Sequence, residues 1–153
     1  MNKPLDVLSA GRRICERSNW TISNLELQKI LYLAHMVYMG RTGHRLVDER
    51  FEAWDYGPVS PQLYHQVKVF GADPVRDVFH SAPPIPQGDR LATIEEACDA
   101  LLSRSAGQLV AETHWRDGAW AKNYRPGIRH MGISDDDILE EASRRTMRHC
   151  RMA

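Results

Sequence analysis

The sequence has few cysteines and no arrangement in which they work together. Its three cysteines, Cys15, Cys98 and Cys150, are widely spaced and form no Cys-x-x-Cys pair. Neither a disulfide framework nor a zinc site is therefore indicated. Reduced thiols in a cytoplasmic protein are the expected state.

The chain also lacks an excess of charge and a long apolar run. It has 20 Lys and Arg residues against 20 Asp and Glu residues, a formal net charge of +0. This balance gives no overall attraction to nucleic acid or to an anionic membrane. No apolar stretch approaches the roughly 20 residues of a membrane-spanning helix, and the start, residues 1–6, lacks the apolar run of a signal peptide. We expect no membrane partner.

Residues that catalyse reactions or bind cofactors form no convincing set. The glycines are scattered, so no phosphate-binding loop is present. No two histidines fall four residues apart on one helix face, the spacing that a helical metal site uses. We therefore expect no metal, no cofactor and no enzymatic activity. The seven histidines are His35, His44, His65, His80, His114, His130 and His149.

Three polar arrangements nevertheless need weighing. Glu52 and Asp55 flank Trp54 in a segment that reads as extended, where alternation places them on opposite faces. Thr113 and His114 are adjacent in a predicted helix and point about 100° apart, which separates a hydroxyl from its base. His35 is either a proton carrier in a pocket or a partly buried side chain bonded to a backbone carbonyl, and we favour the second reading.

The pattern of apolar residues and helix starts predicts a mainly α protein, a compact single-domain helical bundle spanning residues 1–153. Capping boxes, in which a Ser or Thr precedes Glu or Gln by three residues, mark several starts. Ser60 followed by Pro61 marks another. The predicted helices run from Leu5 to about Ser18, Ser23 to Gly40 or Gly43, Ser60 to Gly71, Thr93 through Leu102, Ser105 through Thr113, and from Ser134 onward.

Between these helices, three segments break the helical period. Residues 44–56 suit short extended pieces, and we predict a β-hairpin or extended insert near residues 45–56, with a weak turn signal at Asp48 and Glu49. Residues 81–90 hold three prolines and read as an exposed connector. Residues 117–132 read as a loop.

Aromatic residues gather around the predicted loops. They are Trp54, Tyr56, Tyr64, Trp115 and Trp120. Aromatic side chains with a polar tip anchor both cores and interfaces. For Trp54 and Tyr56, beside Gly57 and Pro58, we favour core packing, with Gly57 turning the backbone where a side chain would clash.

The last predicted helix carries acids at its start and arginines at its end. This order complements the helix dipole. The arginines Arg144, Arg145, Arg148 and Arg151 are offset by acids between residues 135 and 141. We therefore expect a solvated helix face and do not expect nucleic-acid binding.

Three stretches together resemble a known family. They are residues 27–34, containing Leu-Gln-Lys-Ile-Leu-Tyr; residues 51–64, an aromatic followed by Glu-Ala-Trp and then Tyr-Gly-Pro-Val; and residues 109–115 followed by Trp120. They resemble the Panacea domain, also described as the SocA-like antitoxin or phage-associated GepA family, over about residues 5–138. The middle stretch is the most specific.

The resemblance implies a helical antitoxin that neutralises a toxin by direct binding. At least one relative is an adaptor that delivers its toxin to the ClpXP protease, so that protease is a second expected partner, and self-association stays open. The candidate partner-binding residues are Trp54, Asp55, Tyr56, Gly57, Pro58, Tyr64, His114 and Trp115.

Other functions stay open beside this one. A phage or prophage protein of the same family would instead bind and inhibit a host factor. A small hydrolase or transferase would use His35, His65 or His114 together with Glu52. A DNA-binding regulator is the remaining alternative.

Overall fold

The computed structural model describes residues 3–152, with side chains as far as residue 145. The predicted mainly helical fold with a small hairpin is confirmed. The elements in chain order are α1 (Val7–Arg17), α2 (Asn24–Thr42), β1 (Glu52–Trp54), β2 (Gly57–Val59), α3 (Pro61–Val67) followed by a 3-10 turn (Lys68–Phe70), α4 (Asp89–Leu101), α5 (Ala106–Thr113), α6 (Ala119–Asn123) and α7 (Asp135–Met152).

Helix α2 forms the centre of the molecule. It contacts α1, α3, α4, α5, α7 and β2. Between Leu27 and Met39 the helix is buried on nearly all sides, and most of its buried residues are apolar. A helix that is hydrophobic all round is stable only when other elements surround it. The other elements of the fold supply that cover.

Local capping chemistry starts several helices where the sequence predicts. Ser23 and Ser105 each form a full capping box, with Glu26 and Gln108 respectively. Ser60 accepts a hydrogen bond from the Leu63 N–H at 3.3 Å. Each cap satisfies amides that the first helical turn leaves without partners.

The hairpin is shorter and later than predicted. Glu52 pairs with Val59 and Trp54 with Gly57 in an antiparallel register, so the turn lies at Asp55 and Tyr56, whereas Asp48 and Glu49 form no turn between strands. The preceding segment contains bends and forms no strand, apart from the isolated bridge between Leu5 and Val47.

Three further expectations need correction. Helix α4 begins at Asp89 after Gly88, so the Thr93–Glu96 pattern is not a cap, and the Thr93 hydroxyl donates to the Asp89 carbonyl inside the helix. Residues 117–132 contain the short helix α6. The face of α7 is not simply solvated, because Arg145 packs inward. Arg148, Arg151, His149 and Cys150 lie outside the described side chains.

Candidate functional site

The hairpin packs its inner face on α2. Phe51, which precedes β1, lies edge-on to Tyr32 with 5.3 Å between ring centres and 5.1 Å from the His35 ring. The free edge of β1 is covered, because the Ala53 N–H donates to the Met131 carbonyl and residue 133 donates to the Phe51 carbonyl, both at 2.8 Å. An uncovered strand edge would be open to pairing with another chain.

Two polar residues of α2 hold the end of the hairpin. The Gln28 side chain accepts a hydrogen bond from the Ser60 N–H at 2.8 Å and donates to the Ser60 carbonyl at 3.4 Å. The neighbouring Lys29 donates from Nζ to the Pro58 carbonyl at 2.9 Å. Both side chains are buried. The Gln and Lys of this helix therefore fix the hairpin to the core.

Lys29 is a buried cation without a carboxylate partner among the described residues. Burial lowers the pKa of its amine to about 7, because removal from water disfavours the charged form. Gly57 makes room for it. A Cβ at Gly57 would lie 2.8 Å from Lys29 Cε and 2.8 Å from Thr113 Oγ1, and the backbone there has a φ of 120°. Only glycine suits that conformation and that space.

The outer face of the hairpin carries an aromatic pair covered by a cation. The ring centres of Trp54 and Tyr64 lie 4.7 Å apart, nearly perpendicular. The guanidinium carbon of Arg129 lies 4.3 Å from the Trp54 ring centre and 5.6 Å from that of Tyr64. The Trp54 Nε1 donates to Glu52 at 3.0 Å.

A second aromatic stack supports the turn of the hairpin. His114 lies flat on Trp120 with ring centres 3.7 Å apart, and Trp120 stacks on Tyr124 at 4.5 Å. The Trp120 Nε1 donates to the Trp54 carbonyl at 2.7 Å, and the Tyr124 hydroxyl donates to Asp55 at 2.6 Å. Burial, with a smaller contribution from Lys29, lowers the pKa of His114, which favours the neutral ring.

The structure thus places most of the candidate partner-binding residues around one hairpin, and Trp115 is the exception. Trp115 faces α7, where Arg144 and Arg145 lie over its ring at 5.1 and 4.9 Å. Trp54 is buried, as expected. Tyr56 is 71% exposed, so the expectation of core packing for this residue is wrong. Gly57 and Pro58 are buried and shape the hairpin from within.

The polar arrangements weighed as catalytic do not converge. Glu52 and Asp55 have separate partners, Trp54 and Tyr124. The Thr113 hydroxyl donates to a backbone carbonyl of its own helix. His35 is buried, but its Nδ1 accepts a hydrogen bond from the Val47 N–H at 3.4 Å, so the expected bond to a carbonyl is wrong.

Among the residues that the structure describes, no group of three or more His, Cys, Asp or Glu residues is placed to hold a metal ion. No helix within residues 3–152 is long and apolar enough to cross a membrane.

Residue-by-residue reading misses three contributors to this region. Gln28 and Lys29 read as part of an ordinary amphipathic helix, although two long polar residues inside an apolar run are a usable signal. Arg129 gives no signal, because its contacts with Trp54 and Tyr64 join residues far apart in the chain.

Known proteins that are similar in sequence to this chain indicate its family. The chain is 36% identical over 109 residues to "Antitoxin SocA" of Caulobacter vibrioides (strain NA1000 / CB15N), which covers 65% of this chain and 58% of that protein. The chain thus matches less than two thirds of that relative's length. No solved structure matches. The family model described as "Antitoxin SocA-like, Panacea domain" matches residues 27–121, a narrower range than the predicted resemblance but one that includes most of α2, the hairpin and Trp120. The chain belongs to the SocA-like antitoxin family with a Panacea domain.

Proposed function

We propose that this chain is the antitoxin of a toxin–antitoxin pair and neutralises its toxin by direct protein–protein binding, without catalysis, in the cytoplasm. The family and the name of its relative support the antitoxin role. On this proposal the whole chain, residues 1–153, works as one Panacea domain.

The observation that carries the proposal is the exposure of large apolar side chains beside the hairpin. Within the described part of the chain, the exposed large hydrophobic residues are Tyr56, Val69 and Ile128, at 71%, 78% and 38%. Tyr56 is at the hairpin turn, and Ile128 ends a turn directly before Arg129, which covers Trp54. Exposed aromatic and aliphatic side chains next to buried aromatic anchors are typical of protein interfaces.

We name this surface the hairpin face and define it by Trp54, Tyr56, Tyr64, Ile128 and Arg129. Asp55 in the hairpin turn accepts a hydrogen bond from Tyr124, and His114 stacks on Trp120, so both residues support the surface without defining it. Gly57 and Pro58 act indirectly, because they give the hairpin its shape. Trp115 lies away from the face. A rigid surface of this kind limits the entropy lost on binding.

The test is neutralisation of the toxin encoded next to this chain's gene. The chain and the neighbouring open reading frame are expressed from separate inducible promoters, with growth and co-purification as readouts. Wild type restores growth and co-purifies. Tyr56→Ala combined with Ile128→Ser weakens both, because the change removes exposed contact area without disturbing the core.

Val69→Ala is the matched control, because Val69 is similarly exposed but belongs to the 3-10 turn after α3 and is not one of the residues that define the hairpin face. It leaves rescue intact. Failure of the wild-type chain to rescue growth or to bind the neighbouring product overturns the proposed function. Equal rescue by the Tyr56/Ile128 variant and wild type overturns the hairpin face as its site.

Steric blocking and proteolytic delivery are two routes to the same outcome. As an adaptor to ClpXP, the chain would rescue cells only when the protease is present, and the toxin level would fall. The same rescue assay in a host lacking ClpX separates them. Retained rescue there supports blocking, and lost rescue with a stabilised toxin supports delivery.

A second candidate keeps the surface and changes the target. A phage or prophage copy would use the hairpin face to bind a host factor. The same exposed Tyr56 and Ile128 support it. A toxic effect of this chain alone on the host, abolished by the Tyr56/Ile128 variant, would favour it over toxin neutralisation.

A further inference from the structure

Arg129 is an exposed cation without a carboxylate partner in the part of the chain that the structure describes. Its guanidinium carbon lies over the rings of Trp54 and Tyr64. Contact with an aromatic face limits the freedom of the planar group but uses none of its N–H donors. The five donors stay available for a planar acceptor.

Several arginines on other surfaces of the molecule are paired with acids. Arg13 and Arg17 both bind Glu95 on α4, at 2.7 and 2.8 Å. Arg145 binds Glu141 within α7 at 2.6 Å. These side chains are committed to the fold. Arg129 differs from them because its contacts within the protein are aromatic rather than ionic.

Two more arginines without an ion pair among the described residues belong to segments that adjoin the hairpin or Arg129. Arg50 lies just before Phe51 and strand β1, and its Cδ lies 3.0 Å from the position of a Cβ at Gly132, which pairs with Glu52 of β1. Arg125 follows Tyr124 and donates to the Tyr124 carbonyl at 2.8 Å.

The acids of the same surface are occupied. Glu52 accepts from the Trp54 indole, and Asp55 accepts from the Tyr124 hydroxyl. Neither carboxylate lies within ion-pair distance of Arg129. The surface therefore presents cations in excess of the acids that face them.

We propose that Arg129 is the anchor for a carboxylate on the toxin, with Arg50 and Arg125 strengthening the same acidic contact. The inference rests on the proposed function and adds the partner's chemistry: an Asp or Glu side chain next to an apolar hollow that receives Tyr56. An arginine fork binds a carboxylate through two parallel hydrogen bonds. Stacking on Trp54 orients the fork before binding, which lowers the entropy cost.

A protein carboxylate fits this surface better than a nucleic-acid phosphate. Tyr56 and Ile128 are exposed apolar neighbours, which favour a protein interface. Glu52 and Asp55 belong to the same surface and would repel the closely spaced charges of a phosphate backbone more strongly than a single carboxylate that contacts Arg129. The bundle as a whole has no net positive charge to compensate for that repulsion.

The test measures the affinity of the purified chain for the purified neighbouring toxin by calorimetry at low and high salt. Arg129→Gln is expected to weaken binding about 30- to 100-fold, the lower part of the range for an interface hot spot. Arg129→Lys keeps the charge but loses the planar guanidinium fork, so its affinity is expected to lie between those of wild type and Arg129→Gln. Arg76→Gln, which removes an exposed arginine from another loop, leaves affinity unchanged. Thermal unfolding of each variant reports whether the fold is intact.

A charge exchange identifies the partner group. Arg129→Glu abolishes binding, and replacing single Asp or Glu residues on the toxin by Lys restores it at one position. If wild type binds the toxin and Arg129→Gln binds equally well, the inference is wrong while the proposed function stands. If wild type does not bind, the proposed function itself fails. If a DNA or RNA oligonucleotide binds at low salt and Arg129→Gln abolishes that binding, the anion is a phosphate and the inference is overturned.

Discussion

Lys29 donates a hydrogen bond from Nζ to the carbonyl oxygen of Pro58 at 2.9 Å, in a site closed to solvent. The bond joins the central helix to the strand that leads out of the hairpin. It is the only hydrogen bond that the amine makes within the described residues. The titration of one buried lysine is therefore linked to the stability of the fold around the candidate site.

We predict that the free energy of unfolding rises between pH 7 and 8.5 because of Lys29. Burial lowers the pKa of its amine to about 7 in the folded state. In this window the unfolded chain holds a proton that the folded chain has released, so raising the pH favours folding, by roughly 2 kcal/mol over the window. Urea unfolding across these pH values measures the slope, which Lys29→Met removes.

The upper limit of that window is set by the thiols. Burial raises the pKa of Cys15 to about 12 and of Cys98 to about 11, so above pH 9 the folded chain keeps protons that the unfolded chain loses, and stability falls again. Lys68→Met, at an exposed lysine, is the control and keeps the wild-type slope. Equal slopes for Lys29→Met and wild type would contradict the prediction.

We predict that acidification from pH 6.5 to 5 destabilises the protein through His35. Burial lowers the pKa of its ring to about 4, so the unfolded chain takes up a proton in this range that the folded chain excludes. The expected loss is about 2 kcal/mol. His35→Gln, compared with wild type by urea unfolding at both pH values, reduces that loss.

A remaining slope in His35→Gln is expected, because the pKa of His114 is also lowered by burial. The control is His80→Gln, which changes an exposed histidine and retains the full wild-type loss. A His35→Gln protein as sensitive to acid as wild type would show that His35 does not exclude the proton.

The starts of α2, α3 and α5 are predictable from sequence because their signals are local. Ser23, Ser60 and Ser105 each bond an amide three residues ahead, so the pattern that predicts the cap also contains its partner. Thr93 shows the limit of such reasoning. The same spacing to Glu96 occurs inside α4, because this helix begins four residues earlier, at Asp89, directly after Gly88.

The candidate site is only partly predictable from sequence, because many of its contacts join residues that are far apart in the chain. The motif from Trp54 to Pro58 marks the region of the site, but the hairpin turn lies at Asp55 and Tyr56 and not at the predicted Asp48 and Glu49. The roles of Gln28 and Lys29 depend on backbone carbonyls and amides some 30 residues away. The formal net charge of zero likewise gives no indication of Arg129, because it does not show which arginines form ion pairs in the fold.

We predict that Gly57→Ala destabilises the protein by about 2 to 4 kcal/mol, through crowding added to backbone strain. The new Cβ would meet Lys29 Cε and Thr113 Oγ1 at 2.8 Å, and the backbone φ is 120°. Gly127→Ala is a matched control, because its φ is 76° but its Cβ would meet nothing within 4 Å. It is expected to cost about 1 kcal/mol. Equal urea midpoints for the two variants would remove crowding from the explanation.

We predict that Glu141→Gln loosens the support of the hairpin through helix α6. Glu141 is fully buried, accepts the Ala119 N–H at 2.8 Å and pairs with Arg145. Removing its charge leaves Arg145 undercompensated and costs about 2 to 4 kcal/mol. Helix α6 starts at Ala119 and carries Trp120, whose indole bonds the Trp54 carbonyl, so amide hydrogen exchange is expected to rise in both α6 and the hairpin.

The neighbouring Glu140 separates this specific effect from a general loss of charge on α7. Its carboxylate is exposed and pairs with Lys122 at 2.7 Å. Exposed pairs contribute about 0 to 1 kcal/mol, so Glu140→Gln leaves both stability and hairpin exchange near wild type. If Glu141→Gln speeds exchange in α6 but leaves the hairpin protected, the Trp120–Trp54 bond does not transmit the disturbance, and the hairpin must be held mainly by Gln28 and Lys29.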